Sequence, residues 1–588
     1  MNTFIYQLLR SPLFSPLYYA CWLVLLTILS AGFYKYQSSL LWGNKSFYWI
    51  CILLLVVSRL PSILLNEQLN IDESLMIAQA LTLLQNPIYW DSVDGTTIGP
   101  INSYLLTWPG LFNLPITFLT TRLTGTFLIG LTLWLLFASF RLVVSQMAAR
   151  FGLLLLVLFF SCTTHFDFVH FSSELTSLVL LAAGWLYFLR LALQPQFAQK
   201  RRNWLVAGIL IGCVPFAKLQ SLPSAALIGL AMTASLLHSS SPKSWLTTNR
   251  LWFLLSGFLF PTILIVTFCW IFGVLDYFYT FYIHSNLFNY GEYYQKIFPS
   301  TQLSIWERIL HLPAFFQSEN AFFSLFVLFI GISFLAFLVL LTRHKRIYHL
   351  QYWIGLWSLG WLLAGIYSVA KPGTEFVHHL LYLLLPIGWL TGLASEQIVS
   401  TKIANRSFVF PGAILLGNLF ILSVLFVNYQ QNPAVSNYYL YSFQNRQSFN
   451  PNPTSAVSDS MLKYARPNDR LVVWGWNMRY HVETQLPQGT SENHSFRSIV
   501  PHSLRDAYQN KYIRDITTTK PALFVDATGP NSLWMTDTAI YKHEKFTALA
   551  TYIAQQYQLV ETVDHVRIYV RKDRVKYPLS ARKQALLY

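Results

Sequence analysis

Residues 122–164, RLTGTFLIGLTLWLLFASFRLVVSQMAARFGLLLLVLFFSCTT, decide what kind of molecule this is. Two apolar runs, 122–141 and 150–164, are each long enough, or nearly so, to cross the roughly 30 Å hydrocarbon core of a bilayer. Arg141 and Arg150 bracket the short turn between them, and basic residues gather in loops on the cytoplasmic side of a membrane. Immediately beyond, residues 165–174, HFDFVHFSSE, crowd ionisable groups at the opposite end of the second run.

The same punctuation recurs outward from this hairpin. Further apolar runs lie near 18–36, 47–65, 172–192, 204–218, 221–237, 250–273, 320–342, 350–370, 377–396 and 409–428. Lys35 and Lys45, Lys200-Arg201-Arg202, Lys243 and Arg250, Arg343-His344-Lys345-Arg346, and Lys402 with Arg406 fall in alternate loops. The intervening loops, near 66–121, 165–171, 274–319 and 371–376, are poor in Lys and Arg. This alternation predicts a polytopic α-helical membrane protein of about twelve spans with both termini outside. Arg10 ahead of an apolar stretch ending in Ser30-Ala31-Gly32 also fits a cleaved signal peptide, but the linker bearing Lys35 and Lys45 favours a retained span. Over 588 residues, 54% are hydrophobic and only 11% charged, whereas soluble domains carry roughly a quarter charged residues. The net charge of +16 follows the topology and does not indicate nucleic-acid binding. All five cysteines, Cys21, Cys51, Cys162, Cys213 and Cys269, sit in apolar runs, which excludes a disulfide framework or a Cys-based metal site.

Three regions make up the chain in this reading. Residues 1–428 form a transmembrane domain whose first external loop, 66–121, carries helices: 73–86 as an amphipathic interfacial helix, and 101–118 as an apolar segment broken by Pro109 and Pro115. Residues 429–454 are a polar linker. Residues 455–588 form a water-exposed α/β domain, with strands at 470–476, 522–528, 557–563 and 566–572 and helices at 455–466, 504–519 and 546–556. No Gly-rich phosphate loop follows any of these strands, so a nucleotide site is not expected there.

Four polar clusters are candidates for chemistry. Asp72-Glu73 follows the second span; a partly buried carboxyl is a fit general base, and the alternative is Asp72 as a helix cap with Glu73 in its first turn. His165, Asp167, His170 and Glu174 crowd a membrane edge, with His165 and Asp167 as candidate ligands for a divalent cation and Ser172 as the cap of the next helix. Lys218, in VPFAKLQSLP at a break in the run 204–237, needs an anionic partner, which a lipid-linked phosphate or a structural carboxylate would supply. Lys371 through His378 and His379 place cationic and imidazole donors at a helix entry, suited to a phosphate. All four land on the external face in a topology derived from Lys and Arg alone. Independent structural features would divide between the faces.

Asp72-Glu73, Ala78 and Ala80, NPIYWDSVDGTTIGPINSYLL at 86–106 and EFVHHLLYLLLP at 375–386 together resemble the type C glycosyltransferase superfamily. The nearest resemblance is to bacterial relatives of dolichyl-phosphate-mannose–protein mannosyltransferases and to lipid A aminoarabinose transferases, over residues 47–400. It implies an inverting glycosyltransferase of the bacterial inner membrane, working on the periplasmic face. The co-substrate it implies is a polyprenyl-phosphate-linked sugar, and the acceptor a glycan, lipid or protein. Asp72 would be the base and Glu73 would shape the site. Lys218, His378, His379 and Lys371 would hold the donor phosphate. Asp94, His165, Asp167, His170 and Glu174 would line the sugar or acceptor pocket. The chain departs from the family in an extra span before the acidic pair and in His378-His379 where many relatives carry Arg or Tyr. A flippase or transporter for a lipid-linked glycan, and a polysaccharide polymerase or ligase, are the alternatives; broken helices suit transport, but no internal repeat in hydropathy accompanies them.

Overall fold

The computed structural model of the chain describes residues 43–64, 66–163, 165–239, 245–319, 349–399 and 454–575, with scattered helical positions between 21 and 29. The spans expected at 320–342 and 409–428, most of 18–36 and nearly all of the linker lie outside the described residues. Two compact units emerge. One comprises Met1–Leu64, Leu123–Ile265 and Leu303–Phe449; the other comprises Leu65–Arg122, Val266–Gln302 and Asn450–Tyr588. The first external loop therefore groups with the C-terminal region.

In chain order the main helices are α1 (Asn44–Leu64), α2 (Ile71–Gln85), α3 (Phe118–Val143), α4 (Gln146–Cys162), α5 (Glu174–Leu193), α6 (Arg201–Ala217), α7 (Leu222–Ser239), α8 (Trp245–Ile271), α9 (Ile305–Glu319), α10 (His349–Ala370), α11 (Leu381–Val399), α12 (Arg505–Thr519) and α13 (Thr547–Gln556). Six helical stretches among the described residues are long and apolar enough to cross a membrane, and α4 adds a shorter one.

Within the first unit, α11 is the hub. Its apolar stretch is wholly buried, and it packs on α4, α5 and α10. Trp185 of α5 stacks on Trp361 of α10 at 4.7 Å and meets Trp389 of α11 edge-on, while the Trp389 indole donates to Ser358 Oγ at 2.8 Å. That hydrogen bond satisfies the polar tip that a buried tryptophan otherwise leaves unpaired. By contrast α8 leaves most of its apolar surface uncovered, including Trp252, Phe260, Ile263 and Leu264, as a helix facing lipid does. Gly208 and Gly212 of α6 meet Gly257 of α8 so closely that a Cβ on any of the three would overlap backbone of the other helix. Small residues at such crossings let apolar helices touch main chain to main chain.

In the second unit a four-stranded sheet has the order β1-β2-β4-β3, with β1 (Leu471–Trp474) parallel to β2 (Leu523–Asp526), and β4 (Val566–Arg571) antiparallel to both β2 and β3 (Tyr557–Val563). Each falls inside a run expected to be a strand, because short β-branched stretches between turn residues carry an unambiguous signal. Trp474, Tyr512, Ile516, Phe524, Leu549 and Ile553 form the core beneath the sheet. One expectation needs correcting: α2 does not keep a wet face. Residues Glu73–Leu83 are all buried, because Arg479–Thr484 and Pro100–Leu105 pack against the helix and Thr82 Oγ1 accepts from the Gln488 amide N–H at 2.9 Å.

Candidate functional site

The break at Lys218 is local chemistry. Pro215 lies in the last turn of α6, and a proline inside a helix removes a main-chain donor and crowds the preceding turn. Lys218 adopts extended backbone, Leu219–Ser221 make one tight turn, and α7 begins at Leu222. The turn is pinned by Gln220 Nε2 donating to Ser368 O at 2.7 Å and Ser221 Oγ donating to Lys218 O at 2.7 Å.

Lys218 is buried. Its Nζ lies 2.8 Å from Glu174 Oε1 and donates to Ser173 Oγ at 2.7 Å. Two of three ammonium donors are thereby engaged. Ser172 and Ser173 also donate to the second carboxylate oxygen of Glu174. Ser173 occupies the cap position of α5 without a side-chain cap bond, and the expected capping oxygen is that of Ser172, whose Oγ accepts from the Glu174 N–H at 3.3 Å.

The loop 165–173 that delivers these groups is held by Arg59, inside α1. Its guanidinium donates to Phe168 O at 2.6 Å, Val169 O at 3.2 Å and Phe160 O at 3.2 Å. A buried cation paired with carbonyls at helix ends complements their partial negative charge. Within the loop, His165 Nδ1 accepts from Asp167 N at 3.2 Å and His170 Nδ1 contacts Phe166 O at 2.8 Å. Asp167 Oδ2 lies 3.4 Å from His378 Nδ1, and the His378 ring stands 6.2 Å from His170 and 4.7 Å from His379. Burial pushes the Asp167 carboxyl up, but the hydrogen bond and charge of His378, then of His170 and His165, hold it below the usual carboxylate range. Burial lowers the His165 imidazole. His379 is 3% exposed, and its Nδ1 has no hydrogen-bond partner among the described residues.

His165, Asp167, His170, Glu174, Lys218, His378 and His379 are therefore one connected cluster of the first unit. Lys371 is not brought in: it is exposed, and its carbonyl accepts from Arg308 Nη1 at 2.5 Å. The metal expectation also shifts. Ligand atoms of Glu174, His378 and His379 lie within 4.8 Å of one another, whereas the expected pair of His165 and Asp167 belongs to no such group among the described residues, and His165 turns its Nδ1 to main chain. Lys218 on Glu174 competes with any cation there, since two like charges that close repel strongly in a dry site.

The acidic pair belongs to the second unit and its two members differ. Asn70, not Asp72, caps α2, its Oδ1 accepting from Asp72 N at 2.8 Å. Asp72, half-buried, keeps a carboxylate with no hydrogen-bond or ion-pair partner among the described residues. Glu73 is committed: Arg122 Nη2 and Nε reach its two oxygens at 2.7 and 3.0 Å, and Nη2 also donates to Glu67 O at 2.5 Å. Asp94 is buried, accepts from Thr96 N at 2.9 Å and lies 3.5 Å from Arg497. Burial raises its carboxyl pKa, with Arg497 opposing. Burial likewise pushes neighbouring Glu492 up to about 8, although it accepts from Ser498 Oγ at 2.5 Å. Arg59, Arg122 and Arg497 escape sequence reasoning. For Arg59 a signal exists, since an arginine inside an apolar run must face a partner.

No protein-family model matches the sequence, and no curated protein does. Among solved structures, the chain is similar to ArnT from Cupriavidus metallidurans bound to undecaprenyl phosphate, a lipid A aminoarabinose transferase, with 12% identity, 90% of this chain and 98% of that one covered, and a TM-score of 0.52. It is also similar to the oligosaccharyltransferase AglB from Archaeoglobus fulgidus in complex with an inhibitory peptide and a dolichol-phosphate, with 12% identity, coverages of 82% and 70%, and a TM-score of 0.40. The chain has the ArnT fold, and ArnT is one of the type C transferases that the sequence resembles.

Proposed function

We propose that this protein is an inverting glycosyltransferase of about twelve spans, moving a sugar from a polyprenyl-phosphate carrier to an acceptor hydroxyl on the external, periplasmic face of a bacterial inner membrane, with residues 455–588 as a water-exposed domain. The observation that carries the reading is the buried cluster at the helix break. Lys218 retains one uncommitted N–H, and His379 presents a ring nitrogen with no partner among the described residues. A buried polar group left unpaired costs free energy unless a ligand completes it, and donors beside an ammonium suit a phosphate oxygen.

In the reaction the acceptor oxygen forms a bond to the anomeric carbon as the bond from that carbon to the phosphate oxygen breaks on the opposite face. The acceptor proton passes to Asp72, whose carboxylate is not engaged elsewhere. The electron pair of the broken bond stays on the carrier phosphate, where Lys218 and the imidazoles of His378 and His379 stabilise it. Charge stabilisation of this kind is the largest single contribution such a site makes. Two carboxylates, Asp167 and Glu174, face the ammonium in the cluster, and the imidazoles of His378 and His379 add ring N–H donors for the phosphate oxygens. Glu73, held by Arg122, fixes the helix that presents Asp72 and acts as a positioning residue.

Asp72→Asn tests the assignment. In purified protein supplied with a polyprenyl-phosphate sugar, transfer is expected to fall about 10²–10⁴-fold, the range for a lost general base, with carrier binding retained. A variant that transfers normally refutes Asp72 as base, and one that still moves the carrier lipid across vesicles without transferring sugar favours the flippase.

A further inference from the structure

The second unit contains a cleft of about 500 Å³ lined by residues from the first external loop and from the C-terminal α/β segment, neither Asp72 nor Glu73 among them. That volume lies within the range of roughly 300–1,000 Å³ typical of ligand pockets. Its chemistry is unusual for such a pocket, because no aromatic or aliphatic side chain lines it. Its exposed carbon surface belongs to the stems and methyl groups of polar residues, with no large apolar side chain to seat an acyl chain.

The charges nearly cancel. Asp91 is paired with Arg514 at 2.8 Å, and Asp515 with Lys511 and Arg514, both at 3.1 Å. Buried Lys511 is not part of the lining, so the lining's own two carboxylates and two guanidiniums balance, yet one of those cations has no carboxylate partner among the described residues. Arg470, half-buried, donates through Nη1 to Gln488 O at 2.8 Å and makes no ion pair with a carboxylate among the described residues. Burial lowers its guanidinium pKa, with only the field of Asp91 opposing. Around it the lining is hydroxyl and amide. Ser92 donates to Asn86 O at 2.9 Å, Thr518 to Arg514 O at 2.7 Å and Thr519 to Gly489 O at 2.6 Å. Each hydroxyl proton is used internally, so each oxygen keeps lone pairs with which to accept.

Acceptor oxygens and side-chain amides beside one guanidinium that makes no ion pair among the described residues complement a polyhydroxylated molecule bearing one negative charge. We infer that this cleft binds an anionic saccharide, its hydroxyls donating to the Ser92, Thr518 and Thr519 oxygens and its carboxylate or phosphate meeting Arg470. The binding does not depend on Asp72, so it stands or falls separately from the transfer reaction.

Calorimetric titration of the full-length, detergent-solubilised protein decides the matter, with digalacturonic acid as the carboxylate probe, glucose 6-phosphate as the phosphate probe, and maltose and inorganic phosphate as controls. One or both anionic sugars are expected to bind at least tenfold more tightly than maltose and than inorganic phosphate, and which one binds identifies the anion. Arg470→Gln is expected to weaken that binding about tenfold or more at an unchanged melting midpoint, and Arg470→Lys to recover part of it. Asp72→Asn is expected to leave it unchanged while abolishing transfer. No binding by either anionic sugar, equal binding of maltose or inorganic phosphate, or full affinity in a folded Arg470→Gln protein would each overturn the proposal.

Discussion

Two histidine–carboxylate groups in this molecule have nearly the same composition and opposite character. In the α/β segment, Asp526, His543 and Glu544 bring ligand atoms within 4.8 Å of one another, as Glu174, His378 and His379 do in the helical unit. In the first group every charge is answered. His543 Nδ1 lies 2.7 Å from Asp526 Oδ2, and Arg567 reaches Asp526 and Glu544 at 2.5 Å. Thr528 adds a hydrogen bond to Asp526 at 2.6 Å. Burial raises the Asp526 carboxyl, but the donors from His543 and Thr528 and the charge of Arg567 bring it below its ordinary value. In the second group the lysine keeps a donor in reserve and a buried imidazole has no partner among the described residues. Residue type alone does not distinguish a structural ion network from a ligand seat; the count of unfilled hydrogen-bonding positions does.

The sharpest way to break this contrast is to remove the cation from each group. Lys218→Met alone strands Glu174 and would cost about 3–5 kcal/mol, so it is best combined with Glu174→Gln. Sugar transfer by the double variant is expected to fall about 10²–10³-fold, the scale of a lost charge-stabilising donor, with a melting midpoint close to the parent's. Arg567→Met is expected to do the reverse, lowering stability by about 1–3 kcal/mol while transfer is unchanged. Normal transfer by the Lys218 double variant would dissolve the distinction.

A smaller effect is expected from the imidazoles. His379→Leu removes an unpartnered group, so stability is expected to hold while the apparent affinity for the lipid donor drops about tenfold, as measured by KM. His543→Leu leaves Asp526 short of a donor and is expected to lower denaturant stability by about 1–3 kcal/mol. Equal losses of stability in both would show that His379 is a packing residue like its counterpart.

A separate test concerns pH and the second unit alone. Glu492 is pushed up to about 8 by burial, so the folded protein holds a proton there that the unfolded chain releases above about 4.5. Where the folded state binds more protons, stability falls as pH rises, here across the window between those two values. A carboxyl whose pKa differs by one between folded and unfolded chains changes stability by about 1.4 kcal/mol. Glu492→Gln is expected to match the parent near pH 5 and to melt at higher temperature at pH 8. Parallel melting curves across that range would mean the carboxyl is ionised in the fold.

Legibility follows the physics of each segment. The helix break at Lys218 is readable because Pro215 and a charge in an apolar run are local signals. All four strands are readable for the same reason, although their order, with β4 between β2 and β3, is a tertiary fact. The association of Glu174 with Lys218 is foreshadowed only as a need for some anion; which carboxylate answers depends on how α5 packs against α6 and α7. The burial of α2 is hidden because its partner, Arg479–Thr484, is nearly four hundred residues away in sequence and carries no strong helical signal of its own. Arg122 sits at the start of an apolar run, and nothing in its neighbourhood announces that it clamps Glu73 across α2 and α3.

The crossing of α6 and α8 at Gly208, Gly212 and Gly257 bears on how a ligand gets in. With main chain against main chain there is no side-chain layer to compress or rotate, so α6 is a fixed post and the Lys218 end of it has no slack. Past the break, α7 shares no such contact among the described residues, and Leu230 and Leu237 on it are exposed. The lysine at the end of α6 is thereby tied to a crossing that small residues close, and enlarging any of the three glycines would push the two helices apart.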